Sequence, residues 1–203
     1  MKMTSFDRLL LLITGLLSAY QIVVGIDNLS AAPITAYTVA FGILLVAGIL
    51  LIILGFEVLD SPIVVIASTI IPLALSLGLV WEHFASFRTP YLIFAIIGFA
   101  AVILTRSIPL KNRVRVPTIT IAVVHGIAGM TIFLLPISLS IQGLMKPAFA
   151  LVGIGGALIG IGGLLLSFLK TGKPILSKDI IFKVFPGLLL LMTACFVTGF
   201  GLG

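Results

Sequence analysis

The stretch that decides the fold is PIVVIASTIIPLALSLGLVW, residues 62–81, which carries no charged side chain between Asp60 and Glu82. A helix rises about 1.5 Å per residue, so about 20 apolar residues cross the hydrocarbon core of a bilayer. The run does not alternate apolar and polar residues, as the strands of a membrane barrel do. It therefore predicts a transmembrane α-helix.

The whole chain has the same character as this stretch. Of its 203 residues, 61% are hydrophobic and 9% are charged, whereas soluble domains are about 45–50% apolar and about 25% charged. The mean hydropathy is +1.37. This composition excludes a soluble enzyme, a nucleic-acid-binding protein and a disordered chain, and it predicts an all-α polytopic membrane protein.

Similar apolar windows recur along the chain and predict a bundle of seven transmembrane helices joined by short loops. Their expected bounds are 9–26, 34–56, 62–81, 90–105, 117–142, 147–169 and 180–202. These spans use most of the chain and leave no room for a soluble domain. We therefore expect residues 1–203 to form a single integral membrane domain.

The basic residues predict how the bundle is oriented. An odd number of spans puts the termini on opposite sides, and all but two of the 12 Lys and Arg residues then share the N-terminal side. The two exceptions are Arg88 and Lys146. Because cytoplasmic loops are enriched in Lys and Arg, we expect a cytoplasmic N-terminus and an outside C-terminus, in a plasma or inner membrane. The net charge of +6 then reflects topology and contact with membrane lipids, with no nucleic acid as partner.

The sixth span carries a stripe of small residues. Gly153, Gly156, Gly160 and Gly163 recur at helical spacing, and Gly156 to Gly160 forms a GxxxG pattern. In lipid, helices associate where small residues let their backbones approach closely. The stripe predicts tight packing against another helix of this chain, or against other membrane subunits or a second copy in a homo-oligomer.

A few polar side chains lie inside the spans and define a candidate polar path. His125 lies well inside the fifth span. The other side chains of the path carry a hydroxyl or an amide group: Ser18, Gln21, Ser76 and Ser140. A neutral imidazole can relay a proton or bind a metal. The alternative is that the histidine donates a hydrogen bond to a neighbouring carbonyl or hydroxyl. The path would run between the first, third and fifth helices.

A second polar group ends the third helix and begins the loop after it. Glu82, His83 and Arg88 would form a titratable patch at the outer surface, or else a solvated helix end. Adjacent positions such as Glu82 and His83 do not face each other on a helix. The chain has one cysteine, Cys195, and no nucleotide-binding, metalloprotease or haem motif. We therefore expect no catalytic residue, no cofactor and no metal site.

Three functions fit such a chain. The first is a non-catalytic integral membrane subunit or scaffold that packs against other membrane proteins, and the sequence favours it. The second is a small permease or channel with a hydroxyl-lined path near His125 and helix kinks at Pro72 and Pro136. The third is a membrane-embedded enzyme that acts on a lipid or a quinone.

The orientation can be tested with reporter fusions at the two termini. A reporter that folds only in the cytoplasm should be active before Met1 and inactive after Gly203, because an odd number of spans separates the two ends. A reporter that requires the outside compartment should give the reverse pattern. Activity of either reporter at both ends would contradict the predicted topology.

Overall fold

The computed structural model of the chain describes residues 3–26, 29–108, 116–170 and 176–203. Within these ranges the chain is helical and contains no strand. The long helices are α1 Ser5–Val24, α2 Ala31–Leu54, α3 Pro62–His83, α4 Arg88–Ser107, α5 Val116–Ile141, α6 Ala150–Lys170 and α7 Lys178–Leu202. All seven segments are long and apolar enough to cross a membrane. The prediction of seven long apolar helices is therefore confirmed.

The helix ends differ from the predicted bounds for local reasons. α1 begins earlier than expected because Thr4 and Asp7 form a capping box, in which each side chain accepts a hydrogen bond from the other residue's backbone N–H. α1 then ends at Gly25, whose φ of 71° lies in the left-handed region that favours glycine. α4 covers Arg88–Ser107 rather than 90–105, because the helix continues through polar residues at both of its ends.

Six helices close a ring, and α4 lies against its outside. α1 packs against α2 and α7, and the ring continues from α2 to α3, α5, α6 and α7. α4 packs against α3 and α5. Following the predicted topology, we call the end with the α1–α2, α3–α4 and α5–α6 connections the outer end. The opposite end is the inner end.

Aromatic side chains fill the outer half of the ring. Tyr37 and Phe41 of α2 meet Phe196 and Phe200 of α7 across its interior. The ring centroids are 4.7 Å apart for Tyr37 and Phe200, and 6.5 Å apart for Phe41 and Phe196. All four side chains are buried, and they belong to one apolar cluster with residues of α3, α5 and α6. The ring is therefore packed solid at this level.

Two further apolar clusters complete the core. The cluster at the inner end joins α1, α2 and α7 through Leu11, Leu51, Phe56, Ile181, Phe182 and Phe185. Phe56 and Phe182 stack there with ring centroids 4.8 Å apart. The cluster that attaches α4 to the ring consists of Leu73, Ala95, Val102, Val124 and Ala128.

α5 and α6 make a close backbone contact in the outer half of the bundle. A Cβ atom at Gly156 would lie 2.7 Å from Ile132 Cγ2, and one at Gly153 would lie 2.6 Å from the carbonyl oxygen of Phe133. Only glycine fits at these two positions without displacement of a neighbour. A Cβ at Gly160, one turn further along α6, would have no described atom within 4 Å.

This difference gives a matched pair of substitutions. Gly156→Ala should destabilise the bundle by about 1–3 kcal/mol, the usual cost of overpacking. Gly160→Ala should be neutral or stabilising by up to about 1 kcal/mol, because alanine is the better helix former and meets no neighbour. The thermal unfolding midpoint of the monomeric species in detergent, where only contacts within the chain contribute, measures both effects. Equal midpoints for the two variants would contradict the packing described for α5 and α6.

Candidate functional site

The side chains of the predicted polar path lie on three different helices. Ser18 and Gln21 are on α1, which packs mainly against α2 and α7. Ser76 is on α3, and His125 and Ser140 are on α5, with Ser140 near the outer end. No hydrogen bond between any two of these side chains is present in the described part of the chain.

The hydroxyl and amide groups of this set are satisfied by nearby backbone instead. Ser18 Oγ donates to the carbonyl of the residue four positions earlier at 2.9 Å, and Ser76 Oγ does so at 2.6 Å. Gln21 Nε2 donates to the carbonyl oxygen of Gly25 at 2.7 Å. Ser140 Oγ donates to the carbonyl oxygen of Lys146 at 3.3 Å. Such local bonds stabilise polar groups in an apolar environment without joining helices.

His125 is the exception, because one of its ring nitrogens has no partner. Its side chain is partly buried on α5, and Nδ1 is fully buried. Nδ1 makes no hydrogen bond with any atom of the described ranges, although the imidazole lies near the backbone of Ile121. The imidazole therefore has unused hydrogen-bonding capacity, with no polar side chain of another helix bonded to it.

The sequence analysis missed a polar contact that does join helices. Tyr91 Oη of α4 donates to Thr131 Oγ1 of α5 at 3.3 Å, and Ser76 of α3 also interacts with this phenol. A signal was available, since a tyrosine inside an apolar span needs a partner for its hydroxyl. This contact ties α4 to the ring.

Two residues of the predicted outer patch contact groups outside the patch. Arg88 Nε donates to the carbonyl oxygen of Trp81 at 2.6 Å. The ring of His83 meets the edge of Phe149 at a centroid distance of 5.4 Å. Glu82 makes no ion pair with any described residue. Within the described ranges no hydrogen bond or ion pair joins the three side chains, although the charge of Glu82 acts on the imidazole of His83.

No metal centre is visible in the ranges that the structure describes. No three side chains of the His, Cys, Asp or Glu type come close enough there to hold an ion.

The predicted glycine stripe of α6 is divided between two environments. Gly153 and Gly156 contact α5, as described above. Gly160 and Gly163 are exposed, and a Cβ at either position would meet no described atom within 4 Å. Two glycines outside the stripe contact α7 instead, Gly155 against Phe196 and Gly162 against Leu188.

The open half of this stripe faces a similar surface on α5. Because the two helices run antiparallel, the register set by their close contact places Gly160 level with Gly129, and Gly163 level with Gly126, to within about one residue. On α5, Gly126 and Gly129 lie on the same helix face as Phe133, which contacts α6. A Cβ at either α5 glycine would also meet no described atom within 4 Å.

These four glycines form a surface that we call the inner glycine face, consisting of Gly126, Gly129, Gly160 and Gly163. It lies in the inner half of the bundle, where α5 and α6 no longer fill the space between them. His125 lies next to it along α5. At these four positions the helix backbone carries no side chain.

Comparisons with protein-family models, with curated proteins and with solved structures find no match for this chain. The inner glycine face and the filled ring interior are therefore the features from which a function can be inferred.

Proposed function

We propose that the protein is a non-catalytic integral membrane subunit or scaffold that packs against another membrane protein through the inner glycine face. It would cross the membrane seven times, with its N-terminus in the cytoplasm and its C-terminus outside. The observation that carries the proposal is the open space at all four glycines of that face.

The outward surface of the bundle supports a location in lipid. Large apolar side chains point away from the ring along its helices; Ile53, Ile97 and Leu191, for example, are 69%, 62% and 60% exposed. Extended apolar surface of this kind is rare on soluble monomers. In the hydrocarbon core of a bilayer, exposing such a surface has no free-energy cost.

The glycines of the inner face are the residue type found where membrane helices meet. Apolar side chains gain little by leaving lipid for another apolar surface, so close backbone approach provides most of the attraction between helices. Within this chain, Gly153 and Gly156 already support such a contact with α5. The same stripe continues into the inner glycine face, where a helix of a partner subunit or of a second copy would complete it.

A permease or channel near His125 has less support. The aromatic contacts between α2 and α7 occupy the ring interior, and the hydroxyl groups of the predicted path bond to nearby backbone.

A membrane-embedded enzyme has less support for a different reason. Among the described residues, no polar side chain that would orient or activate His125 is hydrogen-bonded to it.

The proposal can be tested by filling the face. In mild detergent, the wild-type protein should purify with a partner chain or as an oligomer. Gly160→Leu and Gly163→Leu should shift it to a smaller species, because a leucine would keep the partner helix at a distance. Size-exclusion chromatography with light scattering measures the mass, and the thermal unfolding midpoint checks that each variant remains folded.

Gly42→Leu is the matched control for these variants. Gly42 lies on α2, and a Cβ there would likewise meet no described atom within 4 Å, so the substitution should leave the assembly unchanged. A wild-type protein that is a stable lone monomer would contradict the proposal. So would an assembly that survives Gly160→Leu and Gly163→Leu intact.

A further inference from the structure

A shallow apolar groove runs between α2 and α3 on the outside of the ring, in its outer half. Its volume is about 470 Å³, and it is lined by Ala31, Ala32, Thr35, Ala36, Val39, Ala74 and Leu77. The only polar side chain in this lining, Thr35, donates its hydroxyl to the carbonyl oxygen of Ala31 at 2.8 Å. The lining therefore presents hydrocarbon, with no free hydrogen-bonding side chain.

A cationic side chain lies against the tryptophan that follows the groove-lining residues along α3. Trp81 lies one helical turn beyond Leu77 and on the same face of α3. The guanidinium carbon of Arg88 lies 5.9 Å from the centre of the Trp81 ring, and Arg88 Nε is held by the carbonyl oxygen of Trp81. No acidic side chain of the described ranges pairs with this guanidinium. Its remaining N–H groups are free for a ligand.

We propose that the groove binds one acyl chain of an outer-leaflet phospholipid, whose phosphate is bound by Arg88. This proposal does not depend on the partner proposed for the inner glycine face. The lining matches the hydrocarbon chain. The planar guanidinium, with which no described acid pairs, matches the charge of a phosphate and can donate two parallel hydrogen bonds to its oxygens.

The dimensions of the groove agree with this ligand. The α2 residues that line it, Ala31–Val39, cover about 12 Å along the helix, which is close to the thickness of one leaflet of a bilayer core of about 30 Å. Trp81 marks the level of the lipid headgroups, because tryptophan is enriched at membrane interfaces. Arg88 lies just beyond this level, where a phosphate would be found.

A lipid chain suits the groove better than a helix of another protein. A phospholipid brings a negative charge to the level of Arg88, whereas an apolar membrane helix does not. Such a helix would leave the Arg88 guanidinium without a counter-charge, unless it brought an acid to the same place.

Native mass spectrometry of the full-length protein tests this proposal with two probes that share their acyl chains. Dioleoylphosphatidylglycerol carries a phosphate, and dioleoylglycerol does not. Arg88→Gln should weaken binding of the phospholipid by about tenfold, because a charge-assisted hydrogen bond is lost, and should leave binding of dioleoylglycerol unchanged. Ala74→Phe should weaken binding of both probes, because the new ring fills the groove.

Lys146→Gln is the matched control, since Lys146 is the other basic residue expected at the outer end; it should leave both affinities unchanged. Arg88→Lys should retain part of the preference for the phospholipid. Equal phospholipid binding by the wild type and Arg88→Gln would overturn the proposal. A changed oligomeric mass of Ala74→Phe with unchanged lipid binding would also overturn it, and would identify the groove as a contact between copies. Neither outcome depends on whether Gly160→Leu alters the assembly.

Discussion

The contact of aromatic rings with glycines inside the helix ring is the interaction on which the rest of the bundle depends. Tyr37 of α2 lies against Gly78 of α3, where a Cβ would come within 2.5 Å of its ring, and Phe196 of α7 lies against Gly155 of α6, where a Cβ would come within 2.7 Å. The same two rings meet Phe200 in the interior. Each ring therefore fixes the spacing of two neighbouring helices, and together they fill the interior between α2 and α7. Because the interior is filled in this way, both proposed binding sites lie on the outer surface of the bundle.

Much of the fold could be predicted from the sequence, but the arrangement of the helices could not. Charge-free windows of sufficient length determine the number of spans, and hydropathy detects them reliably. Their ends depend on local contacts, such as the capping box of Thr4 and Asp7, which extends α1 beyond its apolar run. The sequence does not show which face of each helix points inward, because nearly every face is apolar. Hydrophobic periodicity therefore does not distinguish buried Phe41 from exposed Val46. For the same reason, no pattern predicts that α4 lies outside the ring.

The residue types of the candidate site could be predicted from the sequence, but the contacts that each residue makes could not. The spacing of the α6 glycines indicates a close contact, but it does not reveal that the contact ends after Gly156 and that Gly160 faces open space. The predicted path required polar side chains of the first, third and fifth helices to face one another, which polarity alone does not determine. Ser18 and Ser76 instead bond to their own helices, because a carbonyl one turn earlier is always within reach. The groove beside Leu77 is formed by the packing of α2 against α3, so the sequence of neither helix alone predicts it.

Water access to the interior is measured most directly with single cysteines in a Cys195→Ser background. Ser18 and Ser76 are both 0% exposed, whereas Ser86 lies in the exposed turn between α3 and α4. A small water-soluble methanethiosulfonate reagent, applied from both sides of the membrane, should modify Ser86→Cys and leave Ser18→Cys and Ser76→Cys unmodified. Modification of either buried cysteine at a rate close to that of Ser86→Cys would show an aqueous path through the bundle. That result would contradict a packed interior and the role of a non-conducting subunit.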